Sequence, residues 1–280
     1  MSDLPEIVVI AGPTASGKTA LGIEIAGALN GEIISADARQ VYRWMDIGTA
    51  KPTVEEQQAA PHHLIDVVNP DEPYSAGQFA QDGASAIEDI LQRGRVPILV
   101  GGSGLYLKAL LEGFSPVPDV PADLRSKVQE EAGQDLSGLY SRLQELDPEW
   151  AEKVHPNDTQ RIVRGIEVFE AVGKKLSDFQ KMPGKPAGNW RARWFGLSVD
   201  REQLYDRINL RAERMVEQGL IEEIRRLKER GFHIGLNALN TFGYREMFDF
   251  LEGRRTLEEA LGEIQQGSRR YAKRQMTWFR

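Results

Sequence analysis

The sequence predicts an α/β protein in which a parallel sheet flanked by helices is interrupted by an all-helical insertion. Three observations carry this. Short apolar runs that end in glycine or an acid alternate with helix-period segments in the first 118 residues. Two proline-rich breaks bracket a stretch of helical spacing with no strand signal. Beyond the second break one strand signal returns, followed by helices to the end.

The elements follow in order. Ile7-Val8-Val9-Ile10-Ala11 is a continuous β-branched run closed by Gly12, the pattern of a strand buried on both faces. Ala20 to Leu29 reads as a helix ending near Asn30-Gly31. Glu32-Ile33-Ile34-Ser35-Ala36-Asp37 is the second strand, Ala76 to Arg93 a helix, and Val96-Pro97-Ile98-Leu99-Val100 the third strand before Gly101-Gly102. Such alternation makes the sheet parallel and gathers functional loops at the C-terminal ends of its strands. Ser115 to Pro121 and Met182 to Gly188 are the breaks. The expected division is therefore 1–118 as the first part of the core, 119–190 as the helical insertion, and 191–280 as the rest of the core with a helical C-terminus. Trp194 to Val199 is the returning strand, and Arg201 to Arg230 and Thr256 to Phe279 are helical.

Composition narrows the function classes. With 280 residues, 41% hydrophobic and 28% charged, the chain is globular and long enough for a core plus an appendage. It has no cysteine, which excludes disulfides and thiolate zinc sites, and its four histidines do not favour a His-rich metal site. The apolar run after the acidic start is too short for a signal peptide or membrane span, so a cytoplasmic protein with no membrane partner is expected. The net charge of −7 conceals an asymmetry. Residues 1–152 carry 10 basic against 24 acidic side chains, residues 153–193 carry 9 against 4, and residues 201–280 carry 16 against 13. The acid-free end from Arg269 to Arg280 has the character of a phosphate-backbone footprint, or of a solvated basic helix end.

Gly12-Pro13-Thr14-Ala15-Ser16-Gly17-Lys18-Thr19 fits the phosphate-loop pattern G-x-x-x-x-G-K-[ST] between a strand and a helix, which makes the core P-loop NTPase-like. Backbone N–H groups at a helix N-terminus cradle an anion, Lys18 neutralises its oxygens, and the Thr19 hydroxyl is placed to ligate Mg²⁺. Asp37 ends the second strand on the same edge, as a general base, a metal ligand or a helix cap. Gly101-Gly102-Ser103-Gly104 brings a hydroxyl and bare backbone there too, or is a tight turn before a helix. The adjacent His62 and His63 point apart on any regular element and make a poor metal pair.

These stretches, with Gln40-Val41-Tyr42-Arg43, Met45-Asp46-Ile47-Gly48-Thr49-Ala50-Lys51-Pro52, His62-His63-Leu64-Ile65-Asp66, Tyr74 to Phe79, Gly104-Leu105-Tyr106, His155-Pro156-Asn157-Asp158, Gln160 to Arg164, Gly243-Tyr244 and Lys273 to Arg280, give the chain its family likeness. It resembles the tRNA isopentenyltransferases, or tRNA dimethylallyltransferases, over nearly its whole length. The resemblance implies transfer of a dimethylallyl group from its diphosphate to N6 of the adenosine 3′ of a tRNA anticodon. By the same resemblance, Asp37 is the general base, Thr14 to Thr19 hold the diphosphate with Mg²⁺, Arg211 assists the leaving group, and Ser103 hydrogen-bonds near the reacting centre. Contacts to the anticodon stem-loop are implied at Asp37, Ala38, Arg39, Gln40, Ser103, Arg125, Gln160, Arg161, Ile162, Val163, Arg164, Asn240, Thr241, Phe242, Gly243 and Tyr244. They continue through Lys273, Arg274, Gln275, Met276, Thr277, Trp278, Phe279 and Arg280, and a monomer is expected. Three positions depart from the pattern: Ser103 stands where Thr is frequent, Ala38 where Ser is, and Trp44 where Gly is. The loop alone also suits a small-metabolite kinase, the chemistry alone an adenylate isopentenyltransferase, and the basic segments alone an RNA-binding module with a vestigial loop.

Overall fold

The structure, a computed structural model, describes residues 4–280. Two compact units are present, one formed by Glu112–Pro186 and the other by the remainder of the chain.

The larger unit is built on one parallel sheet of β1 (Glu6–Ala11), β2 (Gly31–Ala36), β3 (His62–His63), β4 (Val96–Gly101) and β5 (Arg191–Gly196), in the order β3-β2-β4-β1-β5. Register explains why its loops converge. Ala11 lies opposite Gly101, and Gly101 opposite Ala36, so the three central strands end level. Gly12, Asp37 and Gly102 therefore leave the sheet side by side.

The continuous apolar runs are covered on both faces. Ile7, Val9, Ile34 and Leu99 belong to one buried cluster, with Phe79 and Ile87 of α3 (Ala76–Gln92). The alternate positions Val8, Ile10, Ile33, Ile98 and Val100 pack with Ala26 of α1 (Lys18–Leu29) in another. Period-two side-chain alternation divides a uniformly apolar strand between two helical layers.

Three local expectations are shifted. The returning strand begins at Arg191, not Trp194, because Arg191 and Arg193 both pair with Glu6 of β1. An edge strand tolerates such charges. The expected helix 201–230 is divided into α10 (Arg201–Glu217) and α11 (Leu220–Glu229) at Gly219, which has a φ of 99°. β3, two residues long, had no strand pattern to announce it. His63 there bonds the buried Glu32 at 2.6 Å, and Glu32 also pairs with Arg93 and Arg95.

After β5 come α10, α11, α12 (Tyr244–Leu251) and α13 (Leu257–Trp278). α13 starts from a capping box, in which the Thr256 hydroxyl accepts from Glu259 N–H and the Glu259 carboxylate from Thr256 N–H. Trp44 has a φ of 64°, a conformation that suits glycine. Its ring stacks on Phe232 at 5.6 Å beneath the Arg230 guanidinium at 4.6 Å, and these contacts offset the backbone cost.

The smaller unit holds α5 (Ala122–Gln134), α6 (Leu136–Leu146), α7 (Pro148–Ala151), α8 (Thr159–Val172) and α9 (Leu176–Gln180). Val128, Leu143, Ile162, Val163 and Ile166 form its core. The fully buried Asp147 caps α7 through Trp150 N–H and accepts from Ser177 N–H, tying α7 to α9. Among the described residues no helix is long and apolar enough to cross a membrane.

Candidate active site

At the C-terminal edge of the sheet two cavities meet. The first, of about 580 Å³, is lined by the Thr14 to Thr19 loop and by Arg207, Arg211 and Arg214 of α10. The second, of about 380 Å³, is lined by Arg39, Ser103, Phe242, Arg245, Tyr271 and Arg274, among others. Thr14, Asp37, Thr49 and Arg211 line both.

The loop has the geometry of an anion cradle. Ala15 at φ 62° and Gly17 at φ 93° turn the backbone ahead of α1, whose N-terminal positive end is added to Lys18. Lys18 Nζ donates to the Pro13 carbonyl at 2.6 Å. Arg211 Nη2 donates to Thr14 Oγ1 at 2.6 Å. Loss of hydration pushes the Lys18 ammonium down to about 8, with Asp37 drawing it back up and Arg211 pressing it further down. The charged form is the one that attracts an anion. Affinity for inorganic diphosphate should therefore weaken by up to about tenfold per unit as pH rises through about 8, relative to a Lys18→Met variant. A calorimetric titration at several pH values checks this, and parallel profiles for the two proteins would count against Lys18.

Asp37 sits in a turn, and no helix starts there, so it is not a helix cap. Its Oδ1 accepts from Arg39 N–H at 2.8 Å. The Ser103 hydroxyl accepts from Ala38 N–H at 3.0 Å, and Ser103 N–H donates to the Ala36 carbonyl at 3.2 Å. Ser103 thus holds the turn that carries Asp37. Arg39 donates to the Asn237 carbonyl at 2.7 Å, and Gln40 bonds Ser35 and the Ala50 carbonyl.

A third layer positions the walls. Glu223 of α11, 3% exposed, accepts from the N–H groups of Asp46 at 2.9 Å, Ile47 at 2.7 Å and Gly48 at 3.2 Å, and from the Tyr244 hydroxyl at 2.6 Å. Burial, then the adjacent Glu223 charge, raises the Tyr244 hydroxyl well above the ordinary phenol range, so it stays a donor. A Cβ on Gly48 would lie 2.4 Å from the Tyr244 ring, so only glycine fits there. This clamp sets Thr49 and Ala50 against the first cavity and Asn240, Thr241 and Phe242 against the second.

Several implied contact residues are placed differently from one another. Ala38, Arg39, Asn240, Thr241, Phe242 and Arg274 line the second cavity. Tyr244 and Gln275 are buried and their polar groups are used within the protein, while Gly243 caps α12. Lys273, Thr277, Trp278 and Arg280 are exposed on or beyond the last turns of α13, and Met276 and Phe279 are half-buried. In the smaller unit Gln160 and Arg161 are exposed, whereas Ile162 and Val163 are core residues. Arg164 and Arg125 both pair with the buried Glu167.

Sequence reasoning missed Arg207, Arg214 and Tyr271. The signal was present: Arg207, Arg211 and Arg214 recur at i, i+4 and i+7 on α10, and Tyr271 precedes Arg274 and Gln275 by three and four positions on α13. Burial, then the Asp37 charge, pushes the Tyr271 hydroxyl up to about 12, so it is neutral beside Asp37.

Among the described residues no three His, Cys, Asp or Glu side chains converge as a metal cage. Thr19 supplies a hydroxyl at the start of α1 and lines the first cavity, and the buried Ser16 hydroxyl in the same loop has no hydrogen-bond partner. Mg²⁺ commonly takes few protein oxygens and completes its shell with water and phosphate, so this donor set suits it.

Residues 40–280 match the family model described as IPP transferase. The chain is 51% identical over 278 residues to "tRNA dimethylallyltransferase 1" of Syntrophotalea carbinolica, covering 98% of this chain and 88% of that protein. It is 48% identical to the protein of the same name from Pelobacter propionicus, covering 99% and 90%. Among solved structures it is similar to a full-length tRNA isopentenylpyrophosphate transferase from Bacillus halodurans, with a TM-score of 0.71, 41% identity and coverage of 98% and 86%. A eukaryotic dimethylallyltransferase acting on tRNA is similar with a TM-score of 0.83 and 31% identity, covering 99% of this chain and 70% of its own.

Proposed function

The chain belongs to the IPP transferase family, and from that premise we propose that it transfers a dimethylallyl group from dimethylallyl diphosphate to N6 of the adenosine 3′ of the anticodon in tRNA. The observation that carries this is the meeting of an anion-cradling cavity with a second cavity, lined by basic and aromatic side chains, at Asp37. The diphosphate occupies the first, against Lys18 and Arg211, and the flipped adenine enters the second past Phe242 and Tyr271. The allylic carbon–oxygen bond breaks, a carbon–nitrogen bond forms at N6, and the displaced N6 proton passes to Asp37. Lys18 and Arg211 hold the charge that gathers on the departing diphosphate.

Mg²⁺, held through the Thr19 hydroxyl and diphosphate oxygens, would supply further charge neutralisation on the leaving group. An adenine inside an anticodon loop has to leave its stack before a carboxylate reaches its amine. The exposed Lys273, Arg274 and Arg280 and, in the smaller unit, Arg161 are the side chains suited to the surrounding phosphates.

The test is incubation with labelled dimethylallyl diphosphate and Mg²⁺, offering unmodified tRNA, AMP or no acceptor. Label is expected in tRNA alone. Label in AMP but not in tRNA would overturn the reading in favour of a free-nucleotide acceptor.

A further inference from the structure

We infer that Gln275, which lies within the basic C-terminal run, is a positioning residue for the diphosphate loop and not an RNA contact. The inference rests on the proposed function for its meaning, but its geometry is independent of it. Gln275 is 6% exposed on α13. Its Oε1 accepts from the backbone N–H of Thr14 at 2.8 Å, and its Nε2 donates to the carbonyl of Gly102 at 2.9 Å.

One amide therefore joins two loops that leave neighbouring strands. Thr14 belongs to the anion cradle, and Gly102 precedes Ser103, which holds the turn of Asp37. A Cβ on Gly102 would lie 2.2 Å from Gln275 Nε2, so the backbone approaches the amide as closely as it can. A glutamine amide carries an acceptor and a donor side by side on one planar head, which is what the two loops require. The Thr14 hydroxyl is held separately by Arg211. Thr14 is thus fixed through its backbone by α13 and through its side chain by α10.

The consequence is mechanical. α13 also presents Tyr271 and Arg274 to the second cavity. Gln275 makes the helix that lines the acceptor cavity the same one that sets the register of the anion loop. Donor and acceptor are aligned by one rigid element.

Two variants test this in the full chain, using inorganic diphosphate with Mg²⁺ as the probe, unmodified tRNA as the second ligand, and thermal unfolding as the control. Gln275→Met keeps the length and removes both bonds. It should weaken diphosphate binding about tenfold, the equivalent of one net hydrogen bond, and leave tRNA affinity within about twofold. Gln275→Glu adds a readout that a bulk packing role would not move. A protonated carboxyl can accept from Thr14 N–H and donate to the Gly102 carbonyl, whereas the carboxylate sets two oxygens against each other. Its diphosphate affinity, as a ratio to the unsubstituted protein, should therefore be close to one at acidic pH and fall about tenfold as pH rises. A ratio independent of pH, or a Gln275→Met variant that loses tRNA affinity and keeps diphosphate affinity, would overturn the inference. Failure of the unsubstituted protein to prenylate tRNA would overturn the functional reading instead, since diphosphate binding needs no transfer.

Discussion

Replacing Asp37 with asparagine should lower kcat by about a thousandfold while leaving tRNA and diphosphate affinity nearly unchanged. The amide keeps the Oδ1 that accepts from Arg39 N–H at 2.8 Å, so the turn survives. What is lost is the capacity to take a proton. N6 of adenine is a weak nucleophile, and the amine cannot keep both its hydrogens once the carbon–nitrogen bond forms. Single-turnover measurement with enzyme in excess isolates that step from product release. A variant keeping more than about a tenth of the rate would place the base elsewhere.

The largest effect on stability is expected at Glu223. Truncation to alanine leaves the N–H groups of Asp46, Ile47 and Gly48 and the hydroxyl of Tyr244 without their acceptor inside the larger unit. The Tyr244 hydroxyl is buried and the three N–H groups are partly so; a stranded buried donor costs about 1–3 kcal/mol, and water reaching the loop offsets some of the total, giving a loss of about 3–5 kcal/mol. Chemical denaturation of Glu223→Ala measures it. A loss below about 1 kcal/mol would show that the loop holds its shape without the carboxylate. Glutamine at 223 should fall between the two, because its amide keeps one acceptor but turns an NH₂ toward backbone donors.

The fold class was legible because its signals are local. The runs Ile7 to Ala11 and Val96 to Val100 are apolar at every position, as a doubly covered parallel strand requires, and the phosphate loop has fixed spacing. From its position alone Asp37 was open as a base, a metal ligand or a cap, and only the family resemblance named a role, since a carboxylate at a strand end is equally a cap until the chain beyond it is seen to turn. β3 was invisible because its two residues are placed by pairing with Ile33 and Ile34, not by propensity. The break at Gly219 was written in one glycine inside an otherwise helical run.

Two residues of the site were illegible for a deeper reason. Glu223 in α11 reads as one of several acids on a solvated helix, and Gln275 as part of a basic tail. Their meaning comes from partners 175 to 177 and 261 positions away. Trp44 is the converse case: odd as a residue, it is explained once Phe232 and Arg230 stack on its ring.

The bond between Lys18 and the Pro13 carbonyl has a consequence for turnover. The carbonyl gives the ammonium an oxygen partner 2.6 Å away within the loop itself. In the proposed reaction a diphosphate in this loop exchanges that oxygen for a more highly charged one, and the lysine's share of the binding energy is the difference between the two. The exchange runs equally well backward. In the proposed reaction the same carbonyl is at hand to the ammonium once the diphosphate has left. A cradle that grips through a difference holds its leaving group firmly enough to draw it off carbon and loosely enough to let it go.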